Sequence, residues 1–536
     1  MKKLVSRLMA VLMAMTMILS MSMTAFAAEA PTGTLTVNNT VAGKTLDLYQ
    51  IFTATKSGDN VAYTLNRAYE GFFKNNTRIP GSESLTGEAL SEAAYNYVET
   101  QVRPNGDAET AKTFAKDMLG WILDSNNSIT ATKTVETTAT STQISGLAYG
   151  YYLVYPKGAT DTSAAPGEQN YTSVASLVSV TDANATVNMK SNYPTVVKKV
   201  NDNKNADDVN IGDTVTYTLT SKVPDMTGYT SYVFNFKDTL SAGLTFKEIT
   251  SVKVGETTIT KVDAGQEADN TYTLTPDGQN ITITMNNFLA SNKNNTGKEI
   301  KVTYTATLNK DAVTGFDANK NSATVEYSNK PGTDNKGESE PSIVDVHTFN
   351  FTIFKYYLKD AAKTGLANAE FELYKANGEV AGDKVNIKKV TDGEYRVATP
   401  EEATAEGFKS DVIVSGTDGK VLVKGLDAGT YYLRETKAPE GYNKLLNDIK
   451  VEIKATYGEN GKLVSYTVDY TYNGNKTTGT AITDKDNSPE VAVENKTGAQ
   501  LPSTGSKGAL MVTLAGIVLF GALTASKAFG KKKAKN

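Results

Sequence analysis

Residues 213–225, "DTVTYTLTSKVPD", alternate apolar and polar side chains and decide the fold class of this chain. Successive side chains of a strand face opposite sides, so the Val, Tyr and Leu residues of this stretch share one face. The same alternation returns in residues 281–285 and 302–306. Strands with one apolar face bury that face against a second sheet. This part of the chain therefore predicts a β-sandwich.

The composition of the chain extends this prediction and excludes several classes of protein. The 536 residues are too many for a single core and predict roughly three or four domains. The absence of cysteine rules out disulfides, so we expect another crosslink if the domains resist force. A single histidine and a net charge of -4 do not indicate a zinc site, a haem site or nucleic-acid binding. We expect no cofactor and no metal, although a calcium site made of carboxylates stays open.

Local patterns divide this mainly β chain into three tandem domains of immunoglobulin-like β-sandwich type. In the first, apolar residues at helical spacing around Leu90 and Phe114 predict a helical insertion. Pro194 cannot lie in a central strand and marks the first boundary. Residues 329–342 are rich in Gly, Pro and charge and predict the second linker. The predicted limits are 1–28 for a signal peptide, 29–192, 193–345 and 346–498 for the three domains, and 499–536 for a C-terminal segment.

Both ends of the chain carry apolar segments. At the start, basic residues precede an apolar run at 8–23, and small residues follow up to Ala28, which is the pattern of a cleaved secretory signal peptide. Near the end, residues 508–525 are long enough to span a bilayer, and a lysine-rich tail follows at 531–535. A basic cluster of this kind stays on the cytoplasmic side. We therefore expect the three domains to lie outside the cell.

A pentapeptide precedes this apolar transmembrane segment. It resembles the L-P-x-T-G sorting signal of Gram-positive surface proteins, and the apolar segment and basic tail complete that pattern. The resemblance implies that a sortase, an external transpeptidase, cleaves after Thr504, holds it as a thioester and passes it to an amine. It also implies a secreted protein that is covalently anchored to the Gram-positive cell wall through a peptidoglycan precursor. The residues of the signal are Leu501, Pro502, Ser503, Thr504 and Gly505.

The first domain offers a candidate for that amine in residues 152–158, "YLVYPKG". This stretch resembles the pilin motif of the shaft subunits of sortase-assembled pili. The resemblance implies that Lys157 accepts Thr504 of the next subunit. Pro156 fixes its own φ angle and ends the strand, so we expect Lys157 at the exposed edge of a rigid element.

The third domain contains residues 431–442, "YYLRETKAPEGY", which resemble the E-box of collagen-adhesin B-type domains. In that family a lysine of the first strand and an asparagine of the last strand form an intramolecular isopeptide bond, assisted by the E-box glutamate. The resemblance assigns these roles to Lys355, Asn495 and Glu435. The chemistry needs burial, because desolvation lowers the pKa of an amine and raises that of a carboxyl group.

The second domain resembles the A-type domain of pilus shaft proteins in the stretches "PTVVKKV" and "FKDTLSAGLTF". In that family the assisting acid is an aspartate, and the resemblance assigns this role to Asp238. The nucleophile maps onto Lys198, which shares its strand phase with the flanking valines, whereas Lys199 faces the other way. Asn321 and Asn329 lie in one strand phase, so alternation does not separate them. We prefer Asn321 as the reaction partner and keep Asn329 as the alternative.

The first domain lacks a comparable set of residues. When its Tyr-Tyr-Leu is aligned with that of the third domain, Tyr155 stands at the position of Glu435. We therefore expect no E-box bond in the first domain. A bond from Lys44 to a late asparagine of that domain stays open.

Together these features resemble the major, or backbone, pilin of a sortase-assembled pilus. The expected function is a structural shaft subunit, joined to the next subunit through Lys157 and Thr504 and stiffened by internal isopeptide bonds. The expected partners are a sortase, identical subunits in a head-to-tail polymer, tip and base pilins, and a peptidoglycan precursor, with no nucleic acid. We do not expect an enzyme, since the sequence has no Cys nucleophile and no Gly-rich phosphate loop. The alternative is a monomeric wall-anchored adhesin or an accessory pilin of the same domain family.

Overall fold

A computed structural model describes most of the chain as three β-rich units in tandem. The described residues are 31–75, 77–102, 108–161, 175–189, 191–226, 228–329 and 333–497. The predicted signal peptide, sorting signal and C-terminal apolar segment lie outside these ranges, and so does Thr504. Within these ranges, no helix is both long enough and apolar enough to cross a membrane.

The first unit is built on two main sheets and a two-stranded sheet formed by its seventh and tenth strands. Its strands are β1 (Thr32–Asn38), β2 (Thr45–Ser57), β3 (Asn60–Leu65), β4 (Lys133–Glu136), β5 (Ser141–Ala148), β6 (Gly150–Pro156), β7 (Thr160–Asp161), β8 (Ser176–Val180), β9 (Asn184–Asn188) and β10 (Ser191–Asn192). One main sheet has the order β5-β1-β9, and the other has the order β3-β2-β6-β8, with β4 also paired to β2. Leu35, Leu48 and Val154 are fully buried in the core that these sheets share.

A helical segment connects β3 to β4, which confirms the predicted insertion. Its helical stretches are Arg67–Tyr69, Glu70–Phe73, Ser82–Ser84, Gly87–Tyr97, Val98–Val102, Ala108–Leu123 and Ser125–Asn127. Leu90, Ala94 and Met118 are buried in one cluster with Ile51 and Leu153 of the larger sheet. The apolar stripes of the helices therefore pack on the sheet.

The second unit is a sandwich of a five-stranded and an eight-stranded sheet. Its elements are β11 (Val197–Val200), β12 (Ala206–Asp208), β13 (Thr214–Lys222), β14 (Phe234–Leu240), β15 (Leu244–Val254), β16 (Thr257–Thr258), β17 (Thr260–Lys261), β18 (Thr271–Asp277), β19 (Asn280–Met285), the helix Phe288–Asn292, β20 (Glu299–Leu308), β21 (Asn319–Ser328), β22 (Lys336–Glu338) and β23 (Ser342–His347). The orders are β11-β13-β20-β15-β16 and β12-β23-β21-β14-β19-β18-β17, with β22 paired to β21. Val215, Tyr217 and Leu219 are fully buried, which confirms the alternation in β13.

The stretch predicted as the second linker is partly strand. β22 and the start of β23 lie within residues 329–342, and both strands pair with β21. Gly, Pro and charged residues are as typical of turns within a sheet as of linkers between domains. The linker prediction was therefore wrong, because this stretch belongs to the sheet of the second unit.

The third unit is a sandwich of one mixed sheet and one antiparallel sheet. Its elements are β24 (Phe349–Lys359), β25 (Ala362–Gly365), β26 (Glu370–Asn377), β27 (Val380–Lys384), β28 (Ile387–Thr391), β29 (Glu394–Val397), the helix Pro400–Thr404, β30 (Ile413–Val414), β31 (Lys420–Leu426), β32 (Gly429–Lys437), β33 (Ile449–Tyr457), β34 (Leu463–Tyr472), β35 (Asn475–Thr477) and β36 (Glu490–Glu494). The mixed sheet has the order β25-β24-β31-β29-β28, with β36 paired to β24. The antiparallel sheet has the order β27-β26-β32-β33-β34-β35, with β30 paired to β26.

Short connections and direct contacts join the units. Only Thr348 separates β23 from β24. Across this junction, the Tyr457 hydroxyl and the Ala428 amide donate hydrogen bonds to the Asp208 carboxylate at 2.9 and 2.6 Å. At the first junction, Gly158 has a φ of +72°, and a Cβ built on it would lie 2.9 Å from the Cα of Asn329. The first unit therefore approaches the second so closely at this point that only glycine fits.

Candidate functional sites

The three residues predicted to react in the third unit lie together in its core. Lys355 is on β24, Asn495 follows β36, and Glu435 is on β32 of the facing sheet. β24 and β36 are adjacent parallel strands, and Lys355 lies opposite Val493. Asn495 is two residues beyond Val493, so its side chain faces the same side of the sheet as that of Lys355. Lys355, Asn495 and Glu435 are 0, 1 and 2% exposed. The site is therefore closed to solvent.

The carboxyl group of Glu435 links the amine and the amide of this site. Lys355 Nζ donates a hydrogen bond to Asn495 Oδ1 and lies 3.0 Å from Glu435 Oε1. Asn495 Nδ2 donates to the same Oε1 at 3.1 Å. Burial lowers the pKa of Lys355 to about 8, against the opposing effect of the nearby Glu435 charge. Burial thus favours the neutral amine that nucleophilic attack on the Asn495 carbonyl requires.

The second unit brings a similar set together around a tyrosine. Lys198 on β11 contacts the Asp238 carboxylate on β14 and donates to the Tyr304 hydroxyl on β20 at 2.7 Å. That hydroxyl donates to Asp238 Oδ2 and accepts from Asn321 Nδ2, each at 2.8 Å. Sequence reasoning used Tyr304 only as a core residue of its strand. The sequence did contain a signal for the role of Tyr304. Its strand phase predicts that its hydroxyl faces an apolar core, where a hydroxyl needs a polar partner.

The electrostatics of the second site favour the same chemistry. Burial lowers the pKa of Lys198 to about 8, and burial also raises the pKa of Asp238 in spite of the lysine beside it. Lys198, Asp238 and Asn321 are each at most 1% exposed. Asn321 Oδ1, the oxygen that an acid would polarise, is buried and accepts no hydrogen bond from the described residues.

Asn329, the alternative partner of Lys198, lies elsewhere. It follows the end of β21, eight positions beyond Asn321, which is about 26 Å along an extended strand. It lines a cleft between the first and second units, together with Lys44 and Lys157. The structure thus brings Asn321 to Lys198 and Asp238, and leaves Asn329 at the first junction.

The two sites differ in how they use the sandwich. In the second unit, Lys198 comes from one sheet, while Asp238 and Asn321 come from adjacent strands of the other. In the third unit, the lysine and the asparagine share a sheet and the carboxyl group comes from the facing one. A bond in the second unit would tie two sheets together, and a bond in the third would tie two strands.

Lys157 was expected at an exposed edge, and this expectation was wrong. β6 lies between β2 and β8 inside its sheet, and the Lys157 side chain is only 18% exposed. Its Nζ lies 3.1 Å from Oδ1 of Asp47 on β2. Proline ends a strand but does not make that strand an edge. Sequence reasoning missed Asp47, although a single carboxylate inside the apolar run at 46–52 is a signal for a paired charge.

Lys157 also lines the cleft at the first junction, which has a volume of about 420 Å³. Lys44 lines the same cleft, and its Nζ donates to the Tyr327 hydroxyl at 3.2 Å and to the Glu338 carbonyl at 3.1 Å. Burial lowers the pKa of Lys44. The amine of Lys44 therefore points to the second unit, and not into the core of the first.

Two segments of the chain match known protein families. Residues 211–331 match the Gram-positive pilin backbone subunit 2, Cna-B-like domain family. Residues 353–469 match the SpaA prealbumin-like fold domain family. The first segment contains Asp238 and Asn321, and the second contains Lys355 and Glu435.

Two curated proteins and a solved structure are similar to parts of the chain. The trypsin-resistant surface T6 protein of Streptococcus pyogenes serotype M6 is 25% identical over 337 residues, which cover 56% of this chain and 52% of that protein. Fimbrial subunit type 2 of Actinomyces naeslundii is 30% identical over 272 residues, 46% of this chain and 48% of that protein. The chain thus spans about half the length of these relatives. The T6 backbone pilin structure of S. pyogenes aligns with a TM-score of 0.46 and 15% identity, over 88% of this chain and 100% of that one.

The fold and the family matches define a protein with a Cna-B-like domain of Gram-positive pilin type followed by a prealbumin-like domain. More particularly, one segment matches a Gram-positive pilin backbone domain, and one curated relative is a fimbrial subunit, so parts of the chain are similar to pilins.

Proposed function

We propose that this chain is the shaft subunit of a covalently polymerised pilus on the cell surface. A sortase cleaves the sorting signal after Thr504 and joins Thr504 of one subunit to Lys157 of the next. The observation that carries the proposal is the pair of buried sites, each with a lysine amine, an asparagine amide and a carboxyl group. The three groups contact one another in the third unit and are joined through the Tyr304 hydroxyl in the second. Such sites serve a subunit that must resist extension without disulfides.

Each site forms one intramolecular isopeptide bond. The neutral amine of Lys198 or Lys355 attacks the side-chain carbonyl carbon of Asn321 or Asn495. A C–N bond to the lysine forms, the C–N bond to the amide nitrogen breaks, and ammonia leaves. The carboxyl group of Asp238 or Glu435 polarises the carbonyl and moves the proton to the leaving nitrogen. The products are neutral, so the protein no longer buries two charges.

The remaining partners follow from the same assembly. Identical subunits bind head to tail, tip and base pilins end the polymer, and a peptidoglycan precursor receives the Thr504 of the last subunit. The assembled fibre is thereby anchored to the cell wall outside the cell. The alternative of a monomeric wall-anchored adhesin or accessory pilin requires the same sorting signal but no use of Lys157.

The linkage is tested in cells with Lys157→Arg, which keeps the charge but removes the primary amine. We expect the high-mass ladder in boiled wall extracts to disappear while monomer stays on the wall. Lys44→Arg is the matched control, because Lys44 lines the same cleft, and it should keep the ladder. A full ladder from Lys157→Arg would move the linkage to another lysine. A single band from the unaltered chain would favour the monomeric alternative.

The internal bonds are tested by the intact mass of residues 29–500. Two ammonia losses of about 17 Da each should place the measured mass about 34 Da below the sequence mass if both buried sites react. A mass equal to that of the sequence would refute both bonds. A third loss would indicate a further internal bond, such as the one left open for Lys44, and peptide mapping would identify its lysine. Only a bond at Lys157 would remove Lys157 as the acceptor between subunits.

A further inference from the structure

We infer that Asp47 positions the Lys157 amine and accepts its proton when the lysine is joined to the next subunit. This inference rests on the proposed function of Lys157 as the acceptor. Its basis is the contact of 3.1 Å between Asp47 Oδ1 and Lys157 Nζ, in which the carboxylate is only 6% exposed.

The strands of the first unit hold Asp47 in place. β2 pairs with β6 in a register that puts Asp47 directly opposite Tyr155, so both side chains face the same side of the sheet. The Lys157 amide donates to the Thr45 carbonyl at 2.9 Å, which extends this pairing beyond Pro156. On the other side of β2, the Thr134 hydroxyl donates to Asp47 Oδ1 at 2.5 Å. The oxygen that meets the amine is therefore fixed from two neighbouring strands.

The pair of Lys157 and Asp47 resembles the two internal sites in its chemistry. At each internal site a lysine amine contacts a carboxylate, and the acyl group comes from an asparagine of the same chain. In the first unit, Tyr155 stands where the E-box glutamate would be, and Asp47 supplies a carboxylate from the opposite strand. The lysine of this third pair, Lys157, lines the cleft at the first junction instead of the core. An acyl group carried by another molecule can therefore reach it.

The transfer balances with the sortase thioester as the second reactant. The Lys157 ammonium gives one proton to the Asp47 carboxylate, and the neutral amine attacks the carbonyl carbon of Thr504. The new C–N bond forms, the C–S bond breaks, and the thiolate takes the second proton of the amine. The products are an amide, a thiol and a protonated Asp47, which returns its proton to water.

The test uses the full-length chain in detergent and a synthetic probe, the 2-mercaptoethanesulfonate thioester of acetyl-Leu-Pro-Ser-Thr, without a sortase. Peptide mapping by mass spectrometry follows acylation at each lysine. Asp47→Asn keeps the shape and an acceptor for Thr134 but removes the charge, and it should slow acylation of Lys157 about 100-fold. Asp47→Glu should restore most of the rate, which a loss of packing alone would not do.

Lys310 provides the internal standard, since its side chain and that of its partner Asp311 are 60 and 61% exposed. Asp311→Asn is the matched control and should change acylation of Lys310 less than twofold. Thr134→Val removes the hydrogen bond to Asp47 but keeps the carboxylate. This variant should slow acylation of Lys157 less than Asp47→Asn does. A rate at Lys157 that is unchanged or faster in Asp47→Asn would overturn the inference. That result would leave the linkage itself intact, because the ladder of Lys157→Arg tests it separately.

Discussion

At the scale of single residues, the structure places lysine amines where charge is costly. Lys198 and Lys355 are buried in sandwich cores, and each is held against a carboxyl group and near an amide. The attraction within a buried ion pair offsets little of the free energy needed to desolvate the two charges, and removing one partner leaves an uncompensated charge. The proposed conversion to an amide would remove this cost, so burial would both activate the amine and favour the product.

The assisting acids are tested one at a time by mass. Asp238→Asn and Glu435→Gln keep the side-chain volume but remove the carboxyl group that moves the proton. We expect each variant to regain about 17 Da, the mass of one ammonia, in its own unit only. Digestion into peptides assigns the regained mass to a unit. Loss of both bonds in a single variant would contradict independent sites.

The tyrosine of the second unit has a separate prediction. Tyr304→Phe removes the hydroxyl that touches Lys198, Asp238 and Asn321, and so releases the lysine and the asparagine from their shared contact. We expect bond formation in newly synthesised protein to slow by at least about tenfold, as a loss of about 1.4 kcal/mol in positioning would produce. Mass spectrometry of timed samples measures the rate. The third unit, which lacks this tyrosine contact, serves as the control and should react at its usual rate.

The lowered pKa of Lys355 predicts how stability depends on pH when no bond forms. In Asn495→Ala the amine stays free, and its pKa is about 8 in the folded protein against 10.5 for an ordinary lysine. Between these values the unfolded chain binds the proton and the folded protein does not, so the free energy of unfolding rises with pH. We expect a gain of up to about 3 kcal/mol from pH 8 to pH 10.5, measured by urea unfolding. Lys355→Met, which has no amine, should lack this gain, and a flat profile for Asn495→Ala would contradict the assignment.

At the scale of strands, the family resemblance assigned the candidate reactive residues, and local patterns added only the side-chain phase. Alternation predicted the buried faces that carry Lys198 and Asn321, since the side-chain phase depends only on neighbouring residues. It did not separate Asn321 from Asn329, because both share that phase, and only the pairing of Asn321 with Leu240 of β14 does so. Asp47 and Tyr304 were missed for the same reason. Their roles arise from the register between strands that lie far apart in the sequence.

The last strand of the third unit is held weakly by pairing alone. Among the described strands, β36 pairs only with β24, over five residues. A bond from Lys355 to Asn495 would secure the end of this strand. In Asn495→Ala we expect the β36 amides to exchange hydrogen at least about tenfold faster, because local opening then costs less. Asn321→Ala should leave β36 unchanged, and equal protection in both variants would argue against this role of the bond.

At the scale of the whole molecule, the proposed linkages define the path of tension. Force enters at Lys157 and leaves beyond Asn495, so it passes through the second and third units, while β1 to β6 lie before the entry point. β23 leads into β24 through Thr348 alone, and Asp208 is bonded to the third unit. The internal bonds would carry force from the first strand of each unit to a strand near its end. Most of each sandwich would then bear no load.

Single-molecule pulling between residues 157 and 497 tests this path. With both bonds present, we expect no unfolding step from the second or third unit. Lys355→Met should release the segment from position 355 to position 495, a sequence separation of 140, with a gain in contour length of about 500 Å. The same step in the unaltered chain would show that the bond does not carry the load.

The contact between Lys157 and Asp47 also bears on which copies enter the fibre. The two residues meet only after β2 and β6 have paired, and the cleft beside them exists only after the second unit has packed against Gly158. A chain that has been secreted but has not folded would present a lysine without its proton acceptor. Unfolded chains would therefore be joined more slowly than folded ones. The joining reaction itself would keep misfolded copies out of the polymer.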